Sequence, residues 1–193
     1  MPADFADLQE ADAALLLSDV MPGRPVAECS RRIGGELSAV YEARFADSTE
    51  RLIIKVYAPT WQWKQAKEAY VYRLLQDHLI QPVPEVLHVG TAGGRLGNVS
   101  YTVLTWLPGE PLSAVSRGVD DSATFGIYQQ MGSFLARLHR LGQDAFGYVT
   151  TEIADPKPTN TEYMTAQFAT KIREFRQLGG EADPRGSHRK ARR

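Results

Sequence analysis

Ile33-Gly34-Gly35-Glu36-Leu37-Ser38-Ala39-Val40-Tyr41 reads as a glycine turn between two short strands, and Leu52-Ile53-Ile54-Lys55-Val56-Tyr57 reads as a third strand with a lysine amid apolar residues. Period-two alternation puts Leu52, Ile54 and Val56 on one face and Ile53, Lys55 and Tyr57 on the other. An ammonium among apolar neighbours must either reach water along its stem or meet an anion, because an unpaired buried charge is costly. Thirteen residues later Glu68 shares a helical stripe with Val71, Tyr72 and Leu75, which turns a carboxylate inward. Taken singly, Lys55 snorkels or binds an anion, and Glu68 pairs with Lys64 four residues before it or with a more distant cation. Taken together, the two placements explain each other as one ion pair. The glycine pair lets backbone amides approach an anion closely, and Ser38 adds a hydroxyl donor; on its own Gly34-Gly35 also fits an ordinary hairpin turn.

Working outward, residues 27–57 form three short runs rich in Val, Ile, Phe and Tyr, as in an antiparallel meander. Trp61 to Asp77 is helical, Pro82-Val83-Pro84 breaks it, and Val86–Gly90 and Val99–Thr105 are two more strands, giving β-β-β-α-β-β. Ahead of them a leading helix spans about Asp4 to Asp19, with Leu8, Leu15 and Leu16 on one face. After them Trp106-Leu107-Pro108-Gly109-Glu110-Pro111-Leu112 is an extended connector. Thr124, Ile127, Met131, Phe134, Leu138 and Leu141 then mark an amphipathic helix over 121–141. Thr159 and Glu162 open another, with Met164, Phe168, Ile172 and Phe175 as its stripe. The expected organisation is a leading helix at 1–26, a compact lobe at 27–105, a connector at 106–120, a partial helical lobe at 121–179 and a disordered basic tail at 180–193.

The chain has 193 residues, 43% of them hydrophobic, which suffices for one real core or for one lobe and part of a second. A net charge of -1 gives no global reason for a nucleic-acid or membrane partner, and the basic tail lacks the interleaved aromatics of a nucleic-acid patch. Cys29 is the only cysteine, no Cys/His grouping has zinc-like spacing, and the N-terminus lacks a signal-peptide pattern, so a soluble, cytoplasmic protein is expected.

The order of features resembles the aminoglycoside phosphotransferase and choline kinase-like family. The resemblance runs from about Ile33 to Leu178 and rests on Ile54-Lys55-Val56, Glu68-Ala69-Tyr70 with Leu74-Leu75, Leu107-Pro108-Gly109-Glu110-Pro111-Leu112, Leu135-Ala136-Arg137-Leu138-His139 and Phe146-Gly147-Tyr148. It implies an α+β fold: a kinase-like lobe of five antiparallel strands and a helix, followed by the first helices of a helical lobe. It implies ATP and magnesium as cofactors, with transfer of the γ-phosphoryl to a hydroxyl of a small molecule. Gly34, Gly35 and Ser38 would lie near the phosphates, Lys55 and Glu68 would form the anchoring pair, and Ile33, Val40 and Ile53 would surround adenine. Backbone groups of Thr105, Trp106 and Leu107 would hydrogen-bond the base.

The chain departs from that family in its chemistry. The family carries a His-x-Asp catalytic loop and a later metal-binding Asp, whereas here the four histidines precede Leu79-Ile80, Val89-Gly90, Arg140-Leu141 and Arg189-Lys190. Asp144-Ala145-Phe146-Gly147 is read as a turn and His139 as a packed or half-exposed helix residue. No catalytic or metal residue is therefore assigned, and the chain is expected to stop short of the catalytic segment and to be inactive alone. A change of reading frame near Gly179-Gly180 is one expected origin of the tail. The competing expectation is a non-catalytic nucleotide-binding or interaction module, whose exposed helix faces favour self-association. The acceptor, whether aminoglycoside, other hydroxylated metabolite or choline-like amine, is not readable.

Overall fold

The structure, a computed structural model, describes residues 7–32 and 37–179. Ile33, Gly34 and Gly35 of the expected phosphate turn lie outside the described residues, as does the tail from Gly180 onward.

Five antiparallel strands, β1 (Val26–Arg32), β2 (Ser38–Phe45), β3 (Arg51–Tyr57), β4 (Val86–Ala92) and β5 (Val99–Thr105), form one sheet in the order β1-β2-β3-β5-β4. Alternation divides the sheet into two chemically different faces. Ala39, Tyr41, Ala43 and Phe45 of β2, Leu52, Ile54 and Val56 of β3, and Tyr101 and Val103 of β5 all enter one core. That core is closed by α1 (Glu10–Leu16), through Ala13 and Leu16 together with the flanking Leu8 and Leu17. The leading helix is shorter than its sequence pattern predicts, and Leu15, expected on the inward face, points to solvent while Leu17 is buried instead. A buried Leu in this layer contributes about 2–5 kcal/mol against Ala.

The other face of the sheet carries Val40, Glu42, Ile53, Lys55, Tyr57, Thr102 and Leu104. α2 (Gln62–Asp77) packs against it, chiefly at β4 and β5. Gln65, Ala69 and Leu75 are its buried residues. Its C-terminus closes as a Schellman motif, with Ile80 N–H donating to Leu75 O and Leu79 N–H to Gln76 O, each at 2.9 Å. Beyond β5 the connector includes a short helix, α3 (Leu112–Val115), and leads to α4 (Asp121–Leu138), which is capped by the Asp120 carboxylate accepting from Ala123 N–H at 2.7 Å. Arg137 donates to the Gln81 carbonyl at 2.7 Å, tying α4 to the loop after α2. Thr124, Ile127, Phe134 and Leu138 of the expected stripe are half-buried, whereas Met131 is exposed.

The chain divides into two compact units, and everything above lies in the first, which runs through Gly142 and also takes residues 150–152. The second unit holds β6 (Phe146–Val149), β7 (Ile153–Lys157) and α5 (Asn160–Gln177). β6 and β7 pair as an antiparallel ribbon that the sequence pattern does not predict. Gly147 permits it, since a Cβ there would stand 2.2 Å from Ile153 Cγ2. Thr159 caps α5 as expected, accepting from Glu162 N–H at 3.2 Å.

Candidate functional site

Lys55 and Glu68 meet. The β3 ammonium lies 2.5 Å from Glu68 Oε2 on α2, and the same oxygen accepts the Tyr57 hydroxyl at 2.8 Å. Lys64, the alternative partner of Glu68, instead lies over the Trp61 and Trp63 rings, at 5.0 and 5.5 Å. The strand's alternation explains the geometry: Lys55 and Tyr57 are two residues apart on one face, so both reach the same carboxylate. Burial, then the charge of Glu68, pushes the Tyr57 phenol far up, so it remains a hydroxyl donor.

One turn before Glu68 on α2, buried Gln65 donates its amide to Gly90 O at 2.8 Å and to Tyr101 O at 2.5 Å. These bonds pin the helix to β4 and β5 and so hold Glu68 at its distance from β3. The sequence reading missed this residue, although its i−3 spacing from Glu68 places it on the adjoining helical face.

Beside the pair opens a cavity of about 660 Å³, within the range of sites that take a small ligand. Lys55 stands among its lining residues; Val40, Ile53 and Leu104 give apolar walls; and Thr105, Trp106 and Leu107 run along its rim. Val40 and Ile53 are thus brought together with Lys55 and the connector. Ser38, buried at the start of β2 and paired in register with Tyr57, is not among the lining residues, and neither is Glu68, which reaches the cavity only through Lys55. Thr105 is largely committed: its amide donates to Glu85 O at 3.0 Å and its hydroxyl accepts from Glu85 N–H at 2.8 Å. Among the described residues, no backbone hydrogen bond engages Trp106 or Leu107, so their donors and acceptors are available to a ligand.

The far end of the cavity holds a second charged group that the sequence did not suggest. Glu42 on β2 is fully buried, yet it is gripped by arginines from three strands. Arg32 Nε donates to Oε2 at 2.8 Å, Arg44 Nε to Oε1 at 2.8 Å, and Arg51 Nη1 stands 3.4 Å from Oε1. Burial pushes the Glu42 carboxyl up, but the guanidiniums of Arg32 and Arg44 pull it down further, leaving it below the ordinary value. Arg51 also lies over Trp106, its guanidinium carbon 4.7 Å from the ring centroid.

The site thus offers a cation at one end, an apolar slot beside it, and backbone groups of Trp106 and Leu107 that no backbone hydrogen bond engages. For magnesium the donor set is thin. Among the described residues no three His, Cys, Asp or Glu side chains gather, and the Glu42 and Glu68 carboxylates are taken by cations.

Residues 29–181 match a family model described as the phosphotransferase enzyme family. The chain belongs to that family. Of solved structures, a candidate fructosamine-3-kinase from Haemophilus somnus 129PT has a similar fold, with a TM-score of 0.56 and 13% identity over 86% of this chain and 54% of that one. At this identity the likeness shows the fold alone, a kinase-like α+β architecture. The phosphotransferase-family chain spans about half the length of that structure's chain. The sequence matches none of the curated proteins.

Proposed function

We propose that this chain is the ATP-binding part of a small-molecule kinase, with residues 27–105 as the nucleotide lobe, 106–120 as the connector and 121–179 as the start of a helical lobe. The observation that carries the reading is the 2.5 Å contact of Lys55 with Glu68 at the edge of a cavity lined by Val40, Ile53 and Leu104. Lys55, oriented by Glu68, holds an oxygen of the triphosphate. Val40, Ile53 and Leu104 exclude water around the base, while the backbone of Trp106 and Leu107 reads its edge. No described residue is assigned to hold magnesium, which, if bound with the nucleotide, would supply further charge neutralisation.

Phosphoryl transfer depends on positioning and charge stabilisation, and on a group to take the acceptor's proton. The 193 residues contain no His-x-Asp segment; on this reading they bind nucleotide but, lacking a group to take the acceptor's proton, transfer phosphate at little above background. A cytoplasmic setting is part of the reading; no helix of the described residues is long and apolar enough to cross a membrane.

The test is calorimetric titration of the purified chain with ATP, with and without Lys55→Ala. Removing a charge-assisted contact of about 1.5–3 kcal/mol lowers affinity roughly ten- to hundredfold. Absent ATP binding, or an affinity indifferent to Lys55→Ala, overturns the proposal. A second reading, a binding module that completes itself through another chain, is favoured by α5, where Met164, Phe168, Ile172 and Phe175 are all exposed.

A further inference from the structure

We infer that Glu42 and Arg51 form a brace that positions the base-reading connector, so that Glu42 is a positioning residue for the nucleobase and not for the phosphates; this rests on the nucleotide reading above. Three observations carry it. A fully buried carboxylate on the cavity side of a sheet needs a reason, and here its two oxygens are shared among three guanidiniums. Of these, Arg51 also reaches the connector, its guanidinium lying over the Trp106 ring. Trp106 in turn belongs to the stretch whose backbone groups have no partner among the described residues.

The spatial separation makes the inference specific. Arg51 and Lys55 are four residues apart on β3, about 13 Å at strand spacing. In the β2–β3 register Val40 pairs with Lys55, Glu42 with Ile53 and Arg44 with Arg51, so the carboxylate lies toward the connector end of the cavity. Loosening Arg51 therefore frees Trp106 and the adjacent backbone without disturbing the ammonium that meets phosphate. Arginine suits the task because its planar guanidinium can stack on an indole while its N–H groups stay fixed by a carboxylate; lysine cannot do both.

The experiment measures ATP and inorganic tripolyphosphate binding, by calorimetry, to the wild-type chain and to Arg51→Lys, Arg51→Met, Glu42→Gln and Lys55→Ala. Arg51→Lys, Arg51→Met and Glu42→Gln are expected to weaken ATP roughly three- to thirtyfold, the span of a partly desolvated cation–π contact, while tripolyphosphate affinity stays as in wild type. Lys55→Ala is expected to weaken both ligands. If Glu42→Gln does not fold, the two Arg51 variants decide, since Arg51 is the loosest of the three partners. Equal loss of ATP and tripolyphosphate, or no loss of either, in the Arg51 variants overturns the brace while a Lys55-dependent ATP site still stands. Failure of the wild-type chain to bind ATP overturns both the brace and the nucleotide reading.

Discussion

Lys55 and Tyr57, side by side on one face of β3, converge on a single oxygen of Glu68, at 2.5 and 2.8 Å. The carboxylate therefore has a structural donor in addition to its ion-pair partner. Tyr57→Phe removes a hydrogen bond to a charged acceptor and is expected to cost about 1.5–3 kcal/mol in stability by urea denaturation. Nucleotide affinity should fall much less than in Lys55→Ala, because the ammonium stays in place. An unchanged denaturation midpoint would show that the hydroxyl contributes nothing.

Gln65 has no charge to offer a ligand, but it determines where Glu68 sits. Gln65→Leu leaves the Gly90 and Tyr101 carbonyls without their side-chain donor and is expected to destabilise by about 1–3 kcal/mol. It should also weaken ATP binding in a way that is non-additive with Lys55→Ala. A double-mutant cycle reads this directly, and strict additivity would mean that the helix tether and the ion pair act independently.

Glu42 gives the protein a defined acid response. Its folded-state carboxyl lies below the ordinary value of 4.5, because the arginines outweigh the opposing effect of burial. A depressed carboxyl stabilises the fold above its unfolded-state value, and that contribution is lost as pH falls through the folded-state value. Glu42→Gln is expected to cost on the order of 2 kcal/mol at neutral pH, less than the ~3–5 kcal/mol of a fully buried pair, since the three arginine side chains are 35–44% exposed. The gap between variant and wild type should narrow below about pH 4.5. Thermal melts from pH 3 to pH 7, on the order of one per half unit, test this, and a gap that widens toward acid refutes it.

Leu79 ends α2 in a left-handed conformation, with φ 54°, and its side chain is 82% exposed. It incurs the cost of a Cβ in that region without repaying it by burial. Leu79→Gly is expected to stabilise the protein by about 1 kcal/mol, read as a raised melting temperature. No gain would indicate that the apolar side chain is covered in solution.

Two helices present apolar faces to solvent. Phe125, Tyr128, Met131 and Leu135 line one side of α4, and Phe168 is 62% exposed on α5. Exposed apolar faces of this kind favour association. The wild-type chain is expected to form concentration-dependent oligomers in light scattering, and Phe125→Lys with Phe168→Lys to shift it toward monomer. A wild-type chain that is monomeric at all concentrations contradicts this.

The ion pair was legible because both its members break local rules: Lys55 sits inside an apolar strand and Glu68 on an inward helix stripe. The succession of elements along the chain, with the helix after β3, followed from alternation and from the proline breaks, whereas the insertion of β5 between β3 and β4 in the sheet did not. Glu42 was not legible, because a charge in an alternating strand reads as a solvent-facing residue until register brings Arg32, Arg44 and Arg51 around it. The β6–β7 ribbon escaped notice for a different reason. Its first strand is only four residues long and its second contains Pro156, so neither has a run that periodicity can detect. On α4 the expected stripe is the half-buried one, but Phe125, Tyr128 and Leu135 make a second apolar stripe that a one-face reading overlooks.

Lys55 stands between Ile54 and Val56, which are 0% and 4% exposed beneath α1. Residues added to the hairpin between β2 and β3 merely lengthen a loop, whereas one residue inserted between Leu52 and Lys55 swaps the faces and drives the ammonium into the hydrocarbon layer. The binding chemistry is thus a matter of parity: an even displacement within this strand keeps a cation facing the cleft, and an odd one abolishes both the site and the fold.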